Sequence, residues 1–306
     1  MSNPIPVLAL NTGAQIPQLG FGTFLASPED CYNSTLHALQ SGYRHIDTAF
    51  IYKNEGDVGR AINDSGIPRS ELWVTTKCWC TTYRDVESGL DRSLANLGID
   101  YVDLYLIHWP VTLNPANCPG GDLSTVPLKA DGSRDVDMEW TFINTWEQFQ
   151  RLPKEKAKNI GVSNFSIKNL EDLLKAPTTV ITPAVNQVEV HPLLPQFELL
   201  QWCKSHGVVL EAYSPLGSAN SSLFTNVTLL EIAAEHCSTA AQVMINWGIQ
   251  RGYVVLPKSI TPQRIESNFK LIQLTEKNIA DINEIHKVEG IQRYIKPNWA
   301  PFPTFE

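Results

Sequence analysis

Short apolar runs alternate with longer amphipathic stretches along most of the chain. The apolar runs fall at 19–23, 45–49, 72–77, 102–108, 159–163, 184–190, 208–213 and 253–257. Each is short, apolar and free of strict alternation, as expected for a strand buried on both faces. Between them, apolar residues recur at helical spacing over 28–40, 56–63, 85–97, 139–152, 167–174, 196–204, 239–251 and 276–288, with a short helix near 262–269. Ahead of the first run, 7–10 and 15–19 flank the turn Asn11-Thr12-Gly13, which predicts a β-hairpin. Eight strands alternating with helices fit either a closed parallel barrel or an open doubly wound sheet. The α/β reading favoured here is a (β/α)8 TIM barrel with an N-terminal β-hairpin, because the candidate chemistry is spread over many strand ends.

Two segments break the rhythm. Residues 110–137 contain Pro and Gly without periodicity, and loops of that length are often functional. The tail 290–306 carries Tyr294, Trp299, Phe302 and Phe305 among prolines. It reads equally as a lid over a pocket or as a tail packed on the barrel surface. No linker, duplication or low-complexity tract divides the chain, so 1–306 is expected to form one domain.

Composition narrows the function. Of 306 residues, 43% are hydrophobic and 18% charged, which suits a globular protein with a sizeable core. A formal net charge of -8 and no Lys/Arg-rich stretch argue against a nucleic-acid partner. The N-terminus lacks the basic and apolar regions of a secretory signal, and no apolar stretch approaches the ~20 residues of a membrane span. The six cysteines are scattered, and Cys78-Trp79-Cys80 matches neither a redox pair nor zinc spacing. The expectation is a cytoplasmic protein with reduced thiols and no metal, acting as a monomer on a small molecule.

Four polar residues stand at strand ends. Asp47 lies near the end of the second strand and Tyr52 in the loop after it. Lys77 closes the third strand and His108 the fourth. All fall on the C-terminal face, where barrel active sites sit, and their strands are neighbours. A free Tyr titrates near ~10, and a nearby ammonium is expected to lower that value. Asp47 would hold Lys77 charged, His108 would orient a substrate oxygen, and Tyr52 would exchange a proton with it. Taken singly, each residue also reads as a cap, an ion pair or rim packing; their joint placement argues for function.

Gly20-Phe21-Gly22 does not extend to a Gly-x-Gly-x-x-Gly, so a Rossmann site is unsupported. No P-loop, His-Glu-x-x-His or Gly-x-Ser-x-Gly occurs. After the eighth strand comes Leu256-Pro257-Lys258-Ser259-Ile260-Thr261-Pro262-Gln263-Arg264, two cations and two hydroxyls at the start of a helix. Lys258 and Arg264 suit a phosphate monoester, and the last strands of barrels often hold one. The alternative is a helix cap with solvated charges.

Three stretches in order resemble the signatures of the aldo-keto reductases: Gly42-Tyr43-Arg44-His45-Ile46-Asp47-Thr48-Ala49, Gly161-Val162-Ser163-Asn164-Phe165 and Leu256-Pro257-Lys258-Ser259. The resemblance covers nearly the whole chain. Pro192-Leu193-Leu194-Pro195-Gln196 and Pro297-Asn298-Trp299 make it most similar to the fungal NADP-dependent glycerol dehydrogenases and short-chain aldehyde reductases. It implies a cytoplasmic NADPH-dependent oxidoreductase that interconverts small aldehydes or ketones with alcohols. Tyr52 would be the general acid/base, with Asp47, Lys77 and His108 completing a tetrad. Thr23, Ser163, Asn164 and Gln187 would hold the nicotinamide end of the cofactor, with Tyr213 stacked on the ring. Ser214, Leu216 and Ser218 would line the pyrophosphate loop. Lys258, Ser259 and Arg264 would grip the 2'-phosphate, and Asn268 the adenine. Phe24, Ile51, Trp79 and Trp109 would form the substrate wall. Two positions depart from the family pattern: Phe24, where Trp is frequent, and Ser267, where Glu is common.

Two further readings remain open from the residues alone. One is a lyase that forms a Schiff base on Lys77 with a phosphosugar, which the Asp47 charge disfavours. The other is a barrel that binds NADPH without catalysis.

Overall fold

A computed structural model describes residues 4–218 and 221–305. Its central sheet has eight strands: β1 Phe21–Gly22, β2 His45–Asp47, β3 Trp73–Cys78, β4 Val102–Ile107, β5 Ala157–Ser163, β6 Val185–Glu189, β7 Val209–Tyr213 and β8 Val254–Leu256. They run in sequence order, every pair parallel. The ring closes where Leu19 bridges Val255, and Gly20 and Gly22 donate to the carbonyls of Val255 and Pro257 at 2.9 and 3.0 Å. The eight predicted strands are therefore the eight observed, in a (β/α)8 barrel. The first is shorter than its apolar run, because Leu19 only bridges the last strand and pairing with β2 begins at Phe21.

Among the described residues ten α-helices surround the ring: α1 Pro28–Gln40, α2 Glu55–Asp64, α3 Val86–Leu97, α4 Phe142–Phe149, α5 Ile167–Lys175, α6 Phe197–Ser205, α7 Val227–Glu235, α8 Ala240–Arg251, α9 Pro262–Asn268 and α10 Glu276–Glu289. Side-chain caps decide where several begin. Ser27 accepts from the Asp30 amide ahead of α1, and Thr239 with Gln242 forms a capping box at α8. Thr141 and Asn144 form another, which starts α4 three residues later than its periodicity suggests. The period did not reveal α7. Its apolar residues encircle the helix, with Val227 and Leu230 exposed, so no polar face marks it; the Asn226 side chain caps its Leu229 amide.

Two apolar layers hold the barrel. The larger lies between strands and helices. The smaller fills the lower barrel interior with Trp73, Leu104, Leu106, Val185, Val254 and Leu256, joined by Leu10 and Ile16 of the hairpin region. The hairpin, Val7–Ala9 paired with Gln15–Pro17, thus plugs the bottom. Gly161 lacks a side chain because a Cβ there would stand 2.6 Å from the Val185 carbonyl of the neighbouring strand. Above this layer the interior turns polar, and the site begins.

Candidate active site

Asp47 ends β2, Lys77 is the penultimate residue of β3, and His108 follows β4 directly. Tyr52 closes a 3-10 turn, Phe50–Tyr52, that rises from β2. Asn54 fixes that turn by donating to the Thr23 carbonyl at 2.9 Å while accepting from the Thr48 hydroxyl at 3.1 Å. The buried carboxylate of Glu55 then accepts from Thr76 and Asn96, pinning the start of α2 to β3 and α3.

The strands bring the four residues together. Lys77 Nζ donates to both oxygens of Asp47, at 2.7 and 2.9 Å, and to the Thr48 carbonyl at 2.9 Å. The same ammonium lies 5.2 Å from the centre of the Tyr52 ring. The Tyr52 and His108 rings meet edge-on at 5.8 Å. Burial works against the charge of Lys77, but Asp47, Tyr52 and Glu211 outweigh it and hold its pKa above the usual range. Asp47 is pushed up by burial and drawn down by Lys77 and Gln187. Burial, then Lys77, press His108 well below the usual imidazole range, so it is neutral at pH 7.

Tyr52 corrects an expectation. Burial outweighs the pull of Lys77, Asp47 adds to the upward push, and the phenol titrates above its ordinary value. At neutral pH it is a protonated acid, suited to giving a proton to a developing alkoxide.

Beneath the cluster lies a network that sequence reasoning missed. Gln187 Nε2 donates to Asp47 at 2.8 Å and to Glu211 at 2.7 Å. The other Glu211 oxygen stands 3.4 Å from His45 Nε2, and both side chains are fully buried. Burial, with Asp47 nearby, pushes Glu211 up to about 8. Burial lowers His45 to about 4. A Glu in the apolar pattern of β7 was the available signal, since an acid there must face the interior with a partner.

A cleft of about 1750 Å³ opens above this floor. Every sequence-predicted site residue lines it except Lys77, which lies buried below. At the strand five to seven edge, Ser163 donates to the Gln187 carbonyl at 2.7 Å, Asn164 to the His108 carbonyl at 3.0 Å, and Tyr213 to Asn164 at 2.8 Å. Asn164 adopts φ 64°, a left-handed conformation that Asn tolerates better than most residues. Beyond Tyr213, Ser214, Leu216 and Ser218 border the cleft, followed by Lys258, Ser259, Arg264 and Asn268. Among the described residues neither Lys258 nor Arg264 pairs with a carboxylate. Two free cations at one end of a long groove fit the phosphate of a nucleotide. Ser267 turns its hydroxyl back onto the Arg264 carbonyl at 3.1 Å.

The mouth is aromatic. Phe24 is 45% exposed and its ring lies 4.9 Å from that of Tyr52, with Ile51 beside it on the cleft wall. Trp79 packs on His108 at 5.3 Å and donates its indole N–H to the Thr125 carbonyl at 2.8 Å. Trp299 from the tail packs on Trp79 and Trp109 at 6.2 and 5.7 Å. The tail therefore forms part of the pocket wall. Buried Glu189 anchors it by accepting from the Tyr294 and Ile295 amides at 2.7 and 2.9 Å. The 110–137 loop is braced by a short antiparallel pair, Thr112–Leu113 with Val136–Asp137, and reaches the same mouth. Among the described residues no group of three or more His, Cys, Asp or Glu is arranged to hold a metal, and all six cysteines are unpaired.

A family model described as Aldo/keto reductase family matches residues 18–287. The chain is 55% identical to a Saccharomyces cerevisiae protein named glycerol 2-dehydrogenase (NADP(+)), over 98% of this chain and 97% of that one. It is 51% identical to an aldehyde reductase of the same yeast, over 100% and 99% of the two chains. Among solved structures, the aldose reductase from Schistosoma japonicum superposes with a TM-score of 0.84 at 33% identity, covering 97% of this chain and 99% of that one.

Proposed function

The chain belongs to the aldo/keto reductase family and is an oxidoreductase that uses a nicotinamide cofactor; from that premise we propose that it reduces small aldehydes and ketones with NADPH, reversibly, with glyceraldehyde or dihydroxyacetone and glycerol among its substrates. The observation that carries this reading is the Asp47–Lys77 pair buried under Tyr52 and His108, at the floor of a cleft whose far end holds two unpaired cations. Bound nicotinamide supplies or accepts the hydride; the protein supplies everything else.

Tyr52 is the acid. Its protonated hydroxyl gives a proton to the carbonyl oxygen during reduction and takes one back during oxidation. Lys77 stabilises the phenolate left behind, and Asp47 keeps Lys77 in place and charged. Neutral His108 donates an N–H to the same oxygen and fixes the carbonyl against Tyr52. Ser163, Asn164 and Gln187 present amide and hydroxyl groups for the carboxamide, with Thr23 bordering the same end. Gln187 has its N–H groups committed to Asp47 and Glu211, so its carbonyl oxygen is the atom left to meet a carboxamide donor. Tyr213 is the stacking platform, held in orientation by its bond to Asn164. Ser214, Leu216 and Ser218 border the pyrophosphate, Lys258, Ser259 and Arg264 the 2'-phosphate, and Asn268 the adenine. Phe24, Ile51, Trp79 and Trp109 exclude water around a small carbonyl.

The Schiff-base alternative fits the geometry poorly. Lys77 does not line the cleft, is saturated by Asp47 and Thr48, and holds its proton. We place the protein in the cytoplasm as a monomer, with 1–306 as one domain and no nucleic-acid or membrane partner. Among the described residues no helix is long and apolar enough to cross a membrane.

The test is a panel of aldehydes, ketones and polyols assayed by nicotinamide absorbance with both cofactors. Turnover of small aldehydes with NADPH, and markedly poorer use of NADH, is expected. NADPH binding without turnover of any carbonyl would favour the non-catalytic barrel instead.

A further inference from the structure

We propose that the substrate end of the cleft takes carbonyl compounds that also carry a carboxylate, with Arg134 as the cation that selects them. This rests on the reductase reading above and narrows its substrate class. Arg134 sits in the 110–137 loop and lines the same cleft as Tyr52 and His108. Its guanidinium lies over the Trp299 indole, with Cζ 4.2 Å from the ring centre. Trp299 packs on Trp79, and Trp79 on His108. The cation therefore stands across two indoles from the imidazole of the catalytic cluster.

Among the described residues Arg134 has no counter-ion. Its Nη1 is buried and makes no hydrogen bond. The residue as a whole is only half-buried and lines the cleft, so an incoming acceptor can reach the rest of the fork. The acids of its own loop are engaged elsewhere. Asp122 pairs with Lys53 at 2.9 Å, Asp137 with Arg84 at 2.6 Å, Asp135 accepts from Asn117 at 2.7 Å, and Asp131 accepts from Ser133. Among the described cleft-lining residues the one carboxylate is Asp47, already held by Lys77. In a chain of net charge -8, a cleft guanidinium without an acid is conspicuous.

The chemistry of the group points to its ligand. A planar guanidinium binds a carboxylate through two parallel N–H···O bonds, and stacking on an indole holds the fork in one orientation. The cofactor phosphates have their own cations, Lys258 and Arg264, after β8, so Arg134 is left for the substrate. A molecule with an aldehyde at one end and a carboxylate at the other would present the carbonyl to Tyr52 and His108 and its anion to Arg134.

The test compares 4-oxobutanoate and 5-oxopentanoate with butanal and pentanal as NADPH-dependent substrates of the wild type, Arg134→Gln and Arg134→Lys. The wild type should favour the acids in kcat/KM, and that preference should shrink as ionic strength rises. Arg134→Gln should raise the ratio of the acid's KM to the matched aldehyde's KM by roughly 10- to 100-fold, with Arg134→Lys intermediate. Turnover of both classes, with a KM ratio insensitive to Arg134 and to salt, overturns the proposal and leaves the reductase reading standing. No NADPH oxidation with any of the four overturns that reading as well. Should Arg134→Gln fail to fold, the salt dependence of the wild-type preference decides alone.

Discussion

At the floor of the cleft, Lys77 meets Asp47 across two hydrogen-bonded strands; at its mouth, Trp79, Trp109 and Trp299 meet through a strand end, a second strand end and a C-terminal tail. The floor is held by sheet register. Asp47 stands opposite Thr75 and Gln187 opposite Glu211, so side chains on alternate positions are fixed by the ladder itself. The mouth is held by packing and a few anchors, such as Glu189 on the tail amides and Thr125 on the Trp79 indole. The difference teaches where each kind of change is tolerated. The proton transfer proposed above depends on sub-ångström placement, and it would rest on two strand residues, Asp47 and Lys77, with Tyr52 on a short turn tied to them. Choice of substrate, in the reading proposed above, tolerates looser placement and would fall to loops.

The comparison breaks first at Tyr52. Tyr52→Phe keeps the ring and removes the proton, so turnover should fall about 10²- to 10⁴-fold while fluorescence titration shows unchanged NADPH affinity. Wild-type turnover in this variant would remove the floor from the mechanism.

Next comes the buried pair. Lys77→Met leaves the Asp47 carboxylate without its cation, and urea unfolding should show a loss on the order of 3–5 kcal/mol together with lost activity. A variant as stable as wild type would mean that the floor is less interlocked than its hydrogen bonds indicate.

The proposed cofactor end lies between the two extremes, built from the loop after β8 and the start of α9 and facing the cleft. Arg264→Ala should weaken NADPH binding roughly 10- to 100-fold and leave NADH binding nearly unchanged. Equal weakening of both cofactors would place Arg264 away from the 2'-phosphate.

The gentlest probe is pH. Glu211 titrates at about 8 in the folded barrel, against 4.5 for an ordinary Glu. Between those values the folded protein holds a proton that the unfolded chain has released. Its stabilisation is therefore fully present below about 4.5 and is lost as pH rises to about 8. Glu211→Gln lacks this dependence, so its Tm should gain steadily on wild type from pH 5 to 8 and hold a constant offset above. A Tm difference flat across that window would mean that Glu211 is ionised throughout.

Much of the floor was legible because its signals are local. Asp47, Tyr52, Lys77 and His108 each follow or end an apolar run, and parallel barrels place such positions on one face. The sign of the Tyr52 shift was not legible. It depends on how deeply the phenol is buried, which neighbours in sequence do not reveal. Helix α7 escaped for a related reason: its apolar residues cover its circumference, so the 3.6-residue period disappears.

Spacing of apolar runs alone was enough to set the strand count, the alternation with helices, the hairpin and the placement of Asp47, Lys77 and His108 at strand ends, because these follow from periodicities of two and 3.6 residues. Closure of the ring decided the rest. Gln187 bonds to Asp47 across 140 positions of chain, and Glu211 is driven toward neutrality by an interior that exists only once eight strands meet. Trp299 becomes a pocket wall, and Arg134 comes to lie over its indole without an acid partner among the described residues, only because distant loops converge on one mouth. Burial and long-range pairing are properties of the assembled barrel, and local pattern carries no record of them.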